Sequence, residues 1–385
     1  MFGILKRGLA VALLSATLAA CQVVPDSGRP TTTAPVDVPT DVPSDTVLPQ
    51  DDGRHRIALL VPLRGDNGDV GQSIANATTM ALLDTNAENL RITTYDTSAD
   101  AGAAAARAIS DGNALILGPL GRDNVAEVLA RARPAGVPLI TFSNDTGVAA
   151  ADVFVMGHVP EQSITRTVQF AVSQGARRFA ALVPNGEYGQ RAAAALQRAV
   201  AAAGGQFVAS ETYDRGNTSI VSAANRLSQK GGFDTVLVGE GARLAAMAAG
   251  ELKEAGETLP SIIGPELWSG ETALTRNASM QGAWFSAVSD ARYRQFASSY
   301  EARFGGQPYR IATLGYDAVL LTLRIARDWE PGQRFPTGQL SDAGGFLGLD
   351  GPFRFGRDGV GERAFEVREV GDGTISIVDP APRQF

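Results

Sequence analysis

Two histidines, one cysteine and no serine placed beside a base are the reactive side chains this sequence offers. The cysteine stands in Leu18-Ala19-Ala20-Cys21, an apolar residue and two small ones ahead of a thiol. That order suits a signal peptidase that cuts before Cys21 and a transferase that adds diacylglycerol to its sulfur. A secreted chain with a cysteine beside its cleavage site, or a free buried thiol, is the plainer reading of the same residues. As the sole cysteine it can form no disulfide within the chain, so the core alone must stabilise the fold.

Catalysis finds little to work with. His55 adjoins a linker and His158 precedes Pro160, and neither has a nucleophile nearby in sequence. No Gly-x-Ser-x-Gly elbow occurs, and Ser228 ahead of Lys230 has the wrong spacing for Ser-x-x-Lys. Gly239-Glu240-Gly241 lacks the third glycine of a dinucleotide loop, and no His/Cys/Asp set has metal spacing. The expectation is a protein that binds rather than reacts, without catalytic residues, metal or cofactor.

The elements that would position a binding site follow from the hydrophobic pattern. Lys6 and Arg7 precede an apolar run from Gly8 to Ala20, too short for the roughly 20 residues a bilayer requires and right for a signal peptide over residues 1–20. Residues 21–54 are rich in Pro, Thr and Asp, with six prolines between Pro25 and Pro49. This reads as an extended tether of about 3 Å per residue that buries no core. Its lipid would hold the chain to a membrane, and Gln22 in place of an Asp favours the periplasmic side of an outer membrane over an inner one. The net charge of −7, and −9 once Lys6 and Arg7 are removed, disfavours nucleic acid.

From His55 onward, short apolar runs alternate with stretches of helical period, the pattern of parallel sheets flanked by helices. Strands are expected at Ile57–Val61, Leu90–Tyr95, Ala114–Leu117 and Pro138–Phe142, and again at Phe179–Val183, Phe207–Tyr213, Thr235–Val238 and Ser261–Ile263. About 330 residues suit two doubly wound lobes: 55–160 with about 284–330 as the first, and about 161–283 with 331–385 as the second. Gly351–Gly359, Phe365–Val370 and Thr374–Val378 read as hairpins.

In such sheets a ligand lies beyond the carboxyl ends of the strands, where helix N-termini leave amides unpaired. That rule selects Arg64, Leu120, Arg122, Ser143, Asn144 and Asp145 from the first lobe, and Asn185, Tyr188, Glu240 and Glu266 from the second. Each has a plainer alternative. Arg122 fits a solvated helix start capped by Asp123, Ser143-Asn144-Asp145 fits a turn, and Tyr188, Trp268 and Trp284 fit packing near the hinge.

Arg56–Asn76, Leu115–Leu120, Val137–Asp145 and Val183–Gly189 together resemble type I periplasmic binding proteins, across nearly all of 55–379. The resemblance implies an α/β fold of two Rossmann-like, doubly wound lobes joined by a multi-strand hinge. Two branches are similar: the leucine/isoleucine/valine-binding proteins, and the penicillin-binding-protein activators, lipoproteins that stimulate peptidoglycan synthases. Gly118-Pro119-Leu120 with Asn124-Val125, Thr141–Asp145, the lipidation motif and the tether look more like the activators. The resemblance then implies a bifunctional penicillin-binding protein as partner and an unassigned small ligand for the cleft. Two features depart from it. The helical-repeat domain of the better-studied activators has no counterpart between tether and fold. And where the amino-acid binders place clamping Ser and Thr, this chain has Arg122-Asp123 and Asn144-Asp145.

Overall fold

The computed structural model describes residues 53–216, 219–255 and 259–383. The expected signal peptide, Cys21 and nearly all of the expected tether therefore lie outside the described residues.

The first half alternates β1 (His55–Val61), α1 (Gly68–Asp84), β2 (Leu90–Asp96), α2 (Ala101–Ser110), β3 (Leu115–Leu117), α3 (Arg122–Ala135), β4 (Leu139–Thr141) and β5 (Val153–Val155). These strands form a parallel sheet in the order β2-β1-β3-β4-β5. It is buried on both faces, and Ile57 to Val61 are all fully buried because each side chain meets a helix layer. One layer is unusually thin. α2 lays Ala104, Ala105 and Ala108 against Val125, Val128 and Ala132 of α3, so short side chains let the helices approach the sheet closely.

The pattern restarts with α4 (Pro160–Ser173), β6 (Arg178–Pro184), α5 (Glu187–Ala202), β7 (Gln206–Tyr213), α6 (Ser219–Lys230), β8 (Thr235–Val238), α7 (Ala242–Ala255), β9 (Ser261–Gly264) and β10 (Trp284–Ala287). The parallel part of this sheet runs β7-β6-β8-β9-β10, the order of the first lobe again. In both lobes the winding reverses beside the first strand, which sets the switch point at the carboxyl ends of β1/β3 and of β6/β8.

The halves share a second device at that point. A Cβ on Gly71 would overlap the carbonyl of Pro62, and one on Gly189 the carbonyl of Pro184, so only glycine lets α1 and α5 start directly over their strands.

After β10 the chain adds α8 (Tyr293–Phe304) and α9 (Thr313–Ile325), which pack on α1. Then come β11 (Phe346–Gly348), β12 (Gly351–Phe355) and β13 (Gly361–Arg363), a three-stranded antiparallel sheet, and finally β14 (Glu366–Val370) and β15 (Ile375–Asp379), an antiparallel ribbon beside β10.

Two expected lobe boundaries are corrected here. Trp284–Ala287 is not in the first lobe: it pairs with β9 and β14 inside the second sheet. Residues 331–363 are not in the second lobe, because Phe346, Phe353 and Phe355 need an apolar cover and find it on Leu314, Ala318 and Leu321 of α9. Helix α9 stops at Ile325, and the Trp329 ring then turns back onto His55 at 4.0 Å.

Among the described residues the chain passes between lobes at Met156–Val159, at Val288–Arg292 and at Ala364–Phe365. These passages are the multi-strand hinge. No helix among the described residues is long and apolar enough to cross a membrane.

Candidate functional site

Two arginines span the carboxyl ends of the sheets. Arg122 opens α3 in the first lobe, and its Nη1 lies 2.9 Å from Asp145 Oδ2 while also reaching Glu187, the first residue of α5 in the second lobe. Arg191, one turn further along α5, forms a forked pair with Glu161 of α4 at 2.7 and 2.9 Å, and its Nη2 donates to the Asn144 carbonyl of the first lobe at 2.7 Å. The two bridges run in opposite senses, one guanidinium from each lobe.

The turn after β4 is built to hold its end of this latch. The Asp145 amide donates to Ser143 Oγ at 3.1 Å, and Asp145 Oδ1 accepts from the Gly147 amide at 2.8 Å, which leaves Oδ2 for Arg122. Ser143 and Asp145 are thus buried turn residues, and exposed Asn144 contributes its backbone. The capping role expected of Asp123 is not observed. Gly121 is the α3 N-cap with no side-chain bond, and Asp123 points into solvent.

The second lobe adds a set of polar residues behind the latch. Glu240, at the end of β8, accepts from Tyr213 Oη and Arg215 Nε at 2.7 Å each and from the Gly241 amide at 3.0 Å. Burial alone would raise its carboxyl, but these donors hold it below the usual range. Glu266, in the turn after β9, accepts from Ser163 Oγ at 2.7 Å and has no guanidinium on it. Burial pushes that carboxyl up to about 7.

Tyr188 lies between them, with Arg215 5.4 Å above its ring and its buried hydroxyl unpartnered. Its pKa is raised by burial and by the neighbouring Glu266. Trp268, fully buried, donates from Nε1 to the Glu240 carbonyl at 2.7 Å, and Trp284 donates to Glu369 at 2.8 Å. Both are packing residues.

Arg64, Leu120 and Asn185 sit elsewhere on the same edges. Arg64 turns outward onto Asp96 at 2.8 Å and, with Leu120, lines an open cavity of about 370 Å³ between α1, α2 and α3. Asn185 donates to Asp214 at 2.6 Å, tying the end of β6 to that of β7. Sequence reasoning missed Arg191, Glu161, Glu187 and Arg215. Glu187 and Arg191 carried a signal, an acid and a base one helical turn apart at a helix start, but their partners belong to other elements. Among the described residues no three His, Cys, Asp or Glu side chains are grouped to hold a metal ion.

The chain belongs to the periplasmic binding protein family, whose model matches residues 55–374. It is similar to an uncharacterised protein of Rickettsia prowazekii, 25% identical over 185 residues, which are 48% of this chain and 50% of that protein. The chain thus spans about half the length of the curated relative it matches.

Among solved structures it is similar to a putative branched-chain amino acid ABC transporter protein of Rhodospirillum rubrum, with a TM-score of 0.74, 18% identity, and coverage of 84% of this chain and 100% of that one. It is also similar to the branched-chain amino acid transporter substrate binding protein LivJ of Streptococcus pneumoniae, in complex with isoleucine: TM-score 0.62, 20% identity, coverage of 85% and 100%. A third is a solute binding protein from R. palustris in complex with benzoate: TM-score 0.64, 18% identity, coverage of 86% and 98%. At these identities the likeness is one of fold.

Proposed function

We propose that this chain is a non-enzymatic lipoprotein, tethered through Cys21 on the periplasmic side of the outer membrane, that binds a bifunctional penicillin-binding protein and stimulates its peptidoglycan synthesis. The observation that carries this reading is the latch. A solute receptor closes around its ligand and keeps polar groups in the cleft for it. Here Arg122 and Arg191, the guanidiniums best placed to take a carboxylate, are engaged with Asp145, Glu187 and Glu161. Lobes held together by their own side chains present an outer surface to a partner, and a proline-rich tether gives that surface reach from one membrane. Crosslinking in intact cells tests the proposal: a bifunctional penicillin-binding protein should be recovered, and recovery of importer subunits alone would overturn it.

A second reading, a solute receptor for an ABC importer of a branched-chain amino acid or related amide, draws on a different observation. Tyr188 and Glu266 leave an unpartnered hydroxyl and a carboxyl without a cation in the same region, and two of the similar solved structures hold isoleucine and benzoate, respectively. A metabolite panel scored by thermal stability separates the two. A ligand at about 100 times its Kd adds roughly 2.7 kcal/mol, and such stabilisation by one amino acid would favour this second reading.

A further inference from the structure

Each passage of the hinge borders one ionic cluster, buried at Asp317, Asp350 and Arg363 and open to solvent at Asp290. Asp350, in the turn between β11 and β12 and wholly buried, accepts from Arg310 Nη1 at 2.6 Å and from Thr313 Oγ1 at 2.9 Å, and its Oδ2 lies 2.7 Å from His158 Nε2 on the first passage. Arg310 continues to Asp290 on the second passage at 3.5 Å. Asp290 accepts from Arg368 Nη1 of β14 at 2.5 Å, and Arg368 Nε donates to Glu366 at 2.8 Å. Arg363, just before the third passage, donates from Nη2 to the Met156 carbonyl, and its Nη1 stands 3.7 Å from both Asp317 and Asp350. Asp317 of α9 is wholly buried. Its Oδ1 accepts from the Leu349 amide at 2.6 Å, and its Oδ2 has no hydrogen-bond partner.

Three guanidiniums, those of Arg310, Arg363 and Arg368, thus face four carboxyls, those of Asp290, Asp317, Asp350 and Glu366. Asp290 is about a quarter exposed and with exposed Arg294 lines an open cavity of about 410 Å³, and Arg166 of α4, on the Phe365 carbonyl, is paired with Asp379 at 2.8 Å, so these charges are screened or already matched. The Tyr293 ring of α8 lies 4.3 Å from Arg310 and carries no charge, and Arg292, on the Gly348 carbonyl, is solvent-exposed and screened. An uncompensated buried charge is strongly unfavourable, and the two wholly buried carboxyls, Asp317 and Asp350, have less than one guanidinium each: Arg310 is divided between Asp350 and part-exposed Asp290, and Arg363 stands 3.7 Å from Asp317 without a hydrogen bond to it, so the buried part calls for one proton when His158 is neutral.

We propose that the hinge retains this one proton, shared between His158 and Asp317, and that its loss loosens the three passages and frees the lobes to move. The two carriers are bridged through Asp350 and Arg363, and burial draws their titrations together by pushing Asp317 up to about 7 and His158 down. Once the proton is gone, the excess negative charge falls on groups that join all three passages. The cluster then acts as a pH-sensitive joint.

The chain's two histidines make the test direct, because His55→Gln leaves His158 as the only imidazole for nitrogen NMR on the full chain. Asp317→Asn balances the charges without a proton, so the titration midpoint of His158 should fall by about one pH unit or more. An unmoved midpoint would overturn the sharing. Hydrogen exchange, corrected for its intrinsic pH dependence, should run about tenfold faster in 156–159, 288–292 and 364–365 at pH 8.5 than at pH 6 in the natural chain, and equally at both in Asp317→Asn. Equal exchange in the natural chain, or a persisting difference in the variant, overturns the joint. His158→Gln keeps the carboxyl as a carrier, so the transition should survive it even if Asp317→Asn fails to fold. Its loss in His158→Gln would place the proton on the imidazole alone.

Discussion

Arg122 and Glu266 are both polar residues at strand ends, yet their environments give opposite expectations. Arg122 is about half exposed, so removing it should cost only about 1 kcal/mol in urea unfolding while freeing Glu187 from Asp145. An Arg122→Ala, Glu187→Ala double-mutant cycle should return a positive coupling, and strict additivity would mean that the bridge holds nothing. Glu266 is the reverse case. Its carboxyl keeps a proton to about 7 in the folded chain but loses it near 4.5 unfolded, so its contribution is fully present below about 4.5 and is lost as pH rises through about 7. Glu266→Gln should match the natural chain at pH 4 and exceed it by an amount on the order of 3 kcal/mol at pH 8, measured by denaturant unfolding across pH. The strand-end rule named both residues because it reads position. It did not name Arg191 or Glu161, since a pairing between residues thirty apart on different helices leaves no local pattern.

At the scale of elements, the sequence was clearest where strands are buried on both faces. Ile57–Val61 and Thr235–Val238 are apolar at nearly every position, and such runs fit a parallel sheet whatever their neighbours are. Of the antiparallel pieces, β12, β14 and β15 were legible as strands, and β14 and β15 were expected in the lobe they occupy, whereas β11 and β13 were not expected and 346–363 was given the wrong lobe. The fold of 346–363 onto the first lobe depends on three phenylalanines finding α9, a tertiary choice with no signature in their own spacing. Close approach was equally silent, because nothing local tells Gly189 from any other helical glycine. Its role makes a sharp prediction. Gly189→Ala must push α5 off Pro184, costing about 1–3 kcal/mol, and must carry Glu187, Tyr188 and Arg191 with it. Gly250→Ala, on α7 with open space around its Cα, should instead be neutral or slightly stabilising in the same unfolding experiment.

For the whole molecule, the proposed role separates two properties that most substitutions would confound, the stability of the folded lobes and the place where they work. The family match starts at residue 55, so the preceding segment can be shortened without touching a buried strand. Under the proposed role, an extended tether of about 3 Å per residue would lose roughly 60 Å of reach with the twenty residues from Pro30 to Pro49. Deleting them while retaining Cys21 should leave the unfolding midpoint and membrane fractionation unchanged and should abolish crosslinking to the synthase. Cys21→Ala should leave the lobes equally stable but shift the chain out of the membrane fraction. If the shortened chain still captures the synthase at the natural level, reach is not what the tether supplies. If that chain instead loses the synthase while still held to its membrane, anchoring alone is insufficient, and the distance from the membrane at which the latched lobes are held is part of the activity.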